Sequence, residues 1–350
     1  MKEWDINTID AVGRTPLIWA VEGGYEDMTK ILLQRKDVNP NTGDNEHGRT
    51  PLRLAAEGGY EGIVKLLLER EDTNPNTPDT KHSRTPLWWA AEGGHEGIVK
   101  LLFEREDTDP NTSDPGYRRT LLLWAAERGH EGMVRVLLER EDINLNTGDN
   151  EHGRTPLWWA TRGGYTGVVR VLLKREDTNP TAADTEYGQT PLSRAAQGGY
   201  DRVVELLLER EDVNPNTGDT EYGLTPLWWA VAGGHEGVVK LLLERVDISP
   251  NTTDTQYGQT PLLWAAMGGY KGIVRLLLER EDLNPDVRSL SGETALELAA
   301  SQGHAGVVQL LSEPYFSLYP PSALHHQSLF PPIPDPSSQK RLLPSSLLPL

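Results

Sequence analysis

A threonine followed by a short apolar run returns along this chain at a fixed interval. It stands at Thr15, Thr50, Thr85, Thr120, Thr155, Thr190, Thr225 and Thr260, each 35 residues after the last, and then at Thr294 after 34. A period of this size excludes one large globular core and requires small units that stack on their neighbours. Arrays built this way present faces and columns, so function is expected on a surface rather than in a catalytic pocket.

One unit can be read residue by residue. Thr85 offers an N-cap oxygen to the orphan amides of a helix start, and Pro86 suits the first helical position because its missing N–H would be unpaired there. The pattern predicts a helix from Pro86 through Trp88, Trp89, Ala90, Ala91 and Glu92, stopped by Gly93-Gly94. His95 and Glu96 open a second helix with Ile98, Val99, Leu101, Leu102 and Phe103 on its apolar face. It ends in Glu-Arg-Glu-Asp, whose arginine recurs at 35, 70, 105, 140, 175, 210, 245 and 280 and suits the negative end of that helix's dipole. The Asn-Pro-rich stretch that follows reads as a projecting hairpin or loop. Helices of about two turns are marginal alone, so each unit depends on the next.

Composition narrows the function. The 350 residues include no cysteine, which removes disulfides and thiolate metal sites. A net charge of −18 disfavours nucleic acid and anionic membrane as partners. No apolar stretch is long enough for a signal peptide or a membrane span, so the expectation is a soluble chain in the cytoplasm, with the nucleus as a further compartment.

Thr-Pro-Leu, two residues, Ala, then Gly-His or Gly-Tyr, a Val-Val-x-Leu-Leu-Leu helix and an Asp-x-Asn turn resemble the ankyrin repeat. The resemblance covers residues 1–312 in nine repeats and implies an all-α solenoid of helix-turn-helix units with loop fingers, acting as a non-catalytic module for protein–protein interaction. Residues 313–350, rich in Pro, Ser and Leu, are expected to be a disordered tail; a PxxP spacing lies at Pro331-Pro332-Ile333-Pro334. The Trp-rich variant of the repeat is similar to ankyrin arrays of filamentous fungi, some attached to nucleotide-switch domains. A regulatory array in a larger switch protein and a structural spacer are therefore the alternative functions. Trp4-Asp5-Ile6-Asn7 looks like the closing turn of a preceding unit, which leaves open whether the chain starts at Met1 or continues a longer protein.

Two departures from the family pattern stand out. Arg-Glu-Asp replaces Gly-Ala-Asp after the second helix, removing its glycine stop, while the Asn-to-Thr connection is longer, 11 steps from Asn39 to Thr50 against 8 from Asn7 to Thr15, which implies longer fingers between repeats two and eight. The family's histidine after Thr-Pro-Leu, which ties repeats together, is replaced by Ile18, Arg53, Trp88, Leu123, Trp158, Ser193, Trp228, Leu263 and Glu297, so packing must supply that link. The last unit, with Ala295, Glu297 and Ser301-Gln302, is more polar, as a solenoid end requires.

No cofactor, metal or catalytic group is expected. His95, His130, His235 and His304 share a slot with Tyr25, Tyr60, Tyr165, Tyr200 and Tyr270, which asks for a flat ring with a polar tip rather than a base. The partner-binding candidates are Trp19, Trp89, Trp124, Trp159, Trp229 and Trp264, one slot on the first helix. Left half exposed, six indoles would offer roughly 450 to 750 Å². Either the next repeat covers them or they form a binding stripe; covering is favoured for most of the area, with edges left for recognition. Arg14, Arg49, Arg84, Arg119 and Arg154 form a second candidate column, succeeded by Gln189, Leu224, Gln259 and Glu293. They make the N-terminal half of the groove basic, suited to an acidic segment, unless finger carboxylates such as Asp44 or Glu46 neutralise them. The partner is expected to be a protein or extended peptide, bound by a monomer.

Overall fold

The computed structural model describes residues 5–114 and 118–312. The expected tail, its PxxP spacing and Trp4 lie outside the described residues. Eighteen helices follow in pairs: α1 (Pro16–Glu22) and α2 (Glu26–Leu33), α3 (Pro51–Glu57) and α4 (Glu61–Leu68), α5 (Pro86–Glu92) and α6 (Glu96–Phe103), α7 (Leu121–Glu127) and α8 (Glu131–Leu137), α9 (Pro156–Arg162) and α10 (Thr166–Leu173). The array continues through α11 (Pro191–Gly198) and α12 (Asp201–Leu208), α13 (Pro226–Ala232) and α14 (Glu236–Leu243), α15 (Pro261–Met267) and α16 (Lys271–Leu278), and α17 (Ala295–Ser301) and α18 (Ala305–Ser312).

Each first helix starts as the sequence predicts. Thr85 is extended and its hydroxyl accepts from the Trp88 amide, with Pro86 at the first helical position. The final unit reinforces this cap, because the Glu297 carboxylate accepts back from the Thr294 amide at 2.7 Å. That bond gives the polar Glu297 a structural role at the end of the array.

The Gly-Gly stop has a packing reason as well as a conformational one. Gly59 takes a φ of 73° and passes beneath the His95 ring of the following unit, where a Cβ would come within 2.6 Å of it. From that position the ring nitrogen reaches backward: His235 Nε2 donates to the Gln197 carbonyl at 2.9 Å, and His304 Nε2 to that of Met267 at 2.9 Å. Where the slot holds His95, His235 or His304, the ring thus ties its unit to the preceding one.

First helices pack on first helices and second on second, α1 on α3 and α2 on α4 for example, and a main apolar core runs between the two rows, with Leu123, Trp158 and Trp159 as a small separate cluster. The slot left by the family's histidine is buried from Ile18 through Leu263, including Trp88, Trp158 and Trp228. Packing does replace most of the polar link.

The terminal Arg column is used differently from the expectation. Arg105 pairs with its neighbour Asp107 at 2.7 Å, and its other nitrogen donates to the Arg70 carbonyl, 35 residues upstream, at 3.2 Å. Arg280 repeats this on Leu243 and Arg245. The guanidinium therefore closes the second helix of the preceding unit, supplying from outside the stop that the missing glycine would have made.

Candidate functional site

The fingers between units are turns organised by one aspartate. Asp44, Asp79, Asp114, Asp149, Asp184, Asp219 and Asp254 recur at the repeat spacing, and all are buried. Asp79 Oδ1 accepts from the His82 amide at 2.6 Å, while Oδ2 accepts from the Trp89 indole at 2.8 Å. Trp159 donates likewise to Asp149 at 3.0 Å, and Trp229 to Asp219 at 3.1 Å. Trp19 makes the equivalent bond to Asp10 at 3.1 Å. The tryptophan slot is thus a staple between first helix and finger. Burial raises the Asp79 carboxyl, but the His82 amide, the indole and nearby cations outweigh it and hold the group below its usual value.

Little of the candidate tryptophan stripe is available, whether or not the indole makes this staple. Trp124, Trp159, Trp229 and Trp264 are each at most 8% exposed, and Trp89 is half-buried. Only Trp19, 49% exposed, offers a broad face, and the Arg14 guanidinium lies 3.7 Å above its ring. Most of the indole area is covered, and one broad face remains at one end of the row. Edge and tilt contacts account for much of the covering: Trp158 on Trp159 at 5.3 Å and Trp228 on Trp264 at 4.9 Å.

The candidate arginine column is neutralised along its length. Arg14 pairs with Asp10 and Glu22, Arg49 with Asp44, Arg84 with Glu92 at 3.0 Å, Arg119 with Glu127 at 2.8 Å, and Arg154 with Glu186. The basic N-terminal half anticipated from sequence is a ladder of ion pairs, in which a glutamate at the end of the first helix answers the arginine in three units.

The ladder fails in one place that the column did not reveal. In the fifth unit the glutamate slot holds Arg162, and in the sixth the tryptophan slot holds Arg194. The Arg162 guanidinium lies 5.0 Å from the Trp159 ring and that of Arg194 4.9 Å from Trp158. Neither makes an ion pair among the described residues. Arg194 Nη1 donates to the side-chain oxygens of Gln189 and Gln197, at 2.7 and 2.6 Å, and its buried Nε has no acceptor. Burial, then the charge of Arg162, pushes the Arg194 guanidinium down to about 10. The two arginines were visible as departures from their columns, but the columns do not show that both stand on adjacent indoles.

Shallow hollows of about 400 and 390 Å³ lie at finger bases, one lined by Asn111, Ser113 and Asp142, the other by Lys36, Arg70 and Asp72. Neither lining places a histidine beside a hydroxyl. Among the described residues no cluster of His, Asp or Glu has metal-binding geometry, and no helix is long and apolar enough to cross a membrane.

No curated protein matches the chain significantly. The family model described as "Ankyrin repeats (3 copies)" matches it over residues 1–79, 39–114, 87–184, 175–254 and 247–318. With overlapping matches that run without a gap over residues 1–318, the chain belongs to the ankyrin repeat family.

Proposed function

We propose that this chain is a non-catalytic binding module that receives a protein or extended peptide across the face formed by its first helices and fingers. The carrying observation is where its repetition stops. Invariant positions are consumed by structure: the threonine cap, the finger aspartate, the ring tie and the arginine that closes the preceding helix. Variation collects at the first-helix ends and finger bases, as in Glu127, Arg162, Gln197, Ala232 and Met267, where no structural rule demands change. A scaffold with fixed joints and variable outward slots suits position-specific recognition.

The candidate slots Trp19, Trp89, Trp124, Trp159, Trp229 and Trp264 enter this reading mainly as supports. Trp19 and the edge of Trp89 remain as contacts, beside the arginines that flank them. The excess of acidic charge keeps copies of the chain apart, which supports a monomer with a separate partner. We also assign it to the cytoplasm or nucleus, and to a repeat style similar to that of filamentous fungi. Hydrogen exchange of the full chain with a captured partner tests the surface. Protection is expected on α5, α7, α9 and α11 and the adjoining fingers; protection confined to the second-helix row would overturn the assignment.

A further inference from the structure

The junction of the fifth and sixth units brings together two arginines that make no ion pair among the described residues. The chain carries 52 acidic against 34 Lys and Arg residues, and each arginine of the flanking column is answered by a carboxylate. At Arg162 and Arg194 that answer is missing. The nearest carboxylates are already committed: Glu186 holds Arg154 and His152, while Asp184 accepts from the amides of Glu186, Tyr187 and Gln189. Arg162 is exposed and Arg194 half-buried, so one guanidinium reaches the surface beside another that is partly withdrawn from water. These two charges stand on adjacent indoles with a third guanidinium, that of Arg154, which Glu186 neutralises; the unpaired two repel each other and are relieved by an anion between them. The planar guanidinium also favours two-point contact with a carboxylate.

We infer that Arg162 and Arg194, held against the Trp158 and Trp159 rings, receive the carboxylates of an acidic segment of the partner protein. The inference rests on the groove reading above and narrows it to the junction of units five and six. A glutamate or aspartate side chain entering there would lie over α9 and α11 and exchange the neutral amides of Gln189 and Gln197 for an ion pair. The surrounding negative charge excludes acidic chains elsewhere on the face, which would make this junction the anchoring point of the segment.

A fluorescein-labelled oligoglutamate peptide, with oligoglutamine as control, reads this site by anisotropy on the full chain. Oligoglutamate is expected to bind more than tenfold more tightly than oligoglutamine, with affinity falling as salt rises. Arg194→Trp, which restores the residue standing in this slot in six other units, and Arg162→Glu, which restores the helix-end glutamate, should each fold and weaken binding at least tenfold. Arg135→Gln, at a paired position of the second-helix row, should change it less than threefold. Equal losses at Arg135 and Arg194 would overturn the site, as would unchanged binding in the Arg162→Glu, Arg194→Trp double variant. Equal binding of a labelled oligothymidylate would overturn its preference for protein carboxylates. If a captured partner protects the groove but is indifferent to both substitutions, the groove reading stands and this inference fails; protection confined to the second-helix row would remove the groove reading instead.

Discussion

Asp44 and Asp219 fill the same slot of different fingers and are shifted in opposite directions. Burial raises both carboxyls. For Asp44 the amide of His47 and the guanidinium of Arg49 more than offset that effect, so it lies below its ordinary value. For Asp219 the arginine slot holds Leu224, and burial prevails over the Tyr222 amide and the Trp229 indole. The consequences for folding differ in sign. Asp44 contributes stability above its unfolded pKa that is lost as pH falls through the folded value; Asp219 favours the fold below its unfolded pKa and loses that contribution as pH rises through the folded one. Carboxyl NMR titration should place Asp219 above and Asp44 below the usual aspartate value near 3.8. Leu224→Arg should bring Asp219 down toward Asp44. Two carboxyls that titrate together in the parent chain would contradict this account of the finger.

At the scale of elements, the helices were legible because their determinants are local. Thr85-Pro86 sets a start and Gly93-Gly94 an end within one unit, and α5 lies between them. What escaped reading were partnerships between units. The Arg column could be assigned to its own helix dipole from position alone, yet Arg105 reaches the end of α4 through the carbonyls of Leu68 and Arg70. The finger aspartates were equally regular in sequence, but nothing in a ten-residue separation shows that Asp79 and Trp89 meet. The candidate site suffered the same loss, since exposure of Trp124 or Trp264 depends on neighbouring repeats. Arg105→Ala separates the two roles of the column. A loss of about 1 kcal/mol is expected, with amide exchange accelerated in the last turn of α4 more than in the last turn of α6. Faster exchange in α6 alone would return the arginine to its own helix.

Across the whole molecule, the units are joined by a second ladder that runs along the finger side. Asn76 donates to the Asp107 carbonyl and accepts from the Asp109 amide; Asn111 and Asn146 do the same one and two units on. Thr181 occupies the next rung. Its amide and hydroxyl both turn back to Asn179 within the same loop, and Asn216 resumes the ladder beyond it. The Thr181 hydroxyl is turned back on Asn179 and the side chain lacks the separate donor and acceptor arms of an asparagine amide, so the tie between the fifth and sixth units loses the pair of bonds its neighbours make. The junction is the one where Arg154 gives way to Gln189 and where Arg162 and Arg194 stand unpaired. Because the stability of a stacked array is close to a sum of units and nearest-neighbour interfaces, a deficit at one junction concentrates opening there. Thr181→Asn should restore the rung by donating to the Asp212 carbonyl and accepting from the Asn214 amide. The expected gain is about 1 kcal/mol in urea unfolding, with slower exchange at Asn214. Unchanged exchange at that amide would show that the interruption is not a missing bond but a spacing the fingers cannot close.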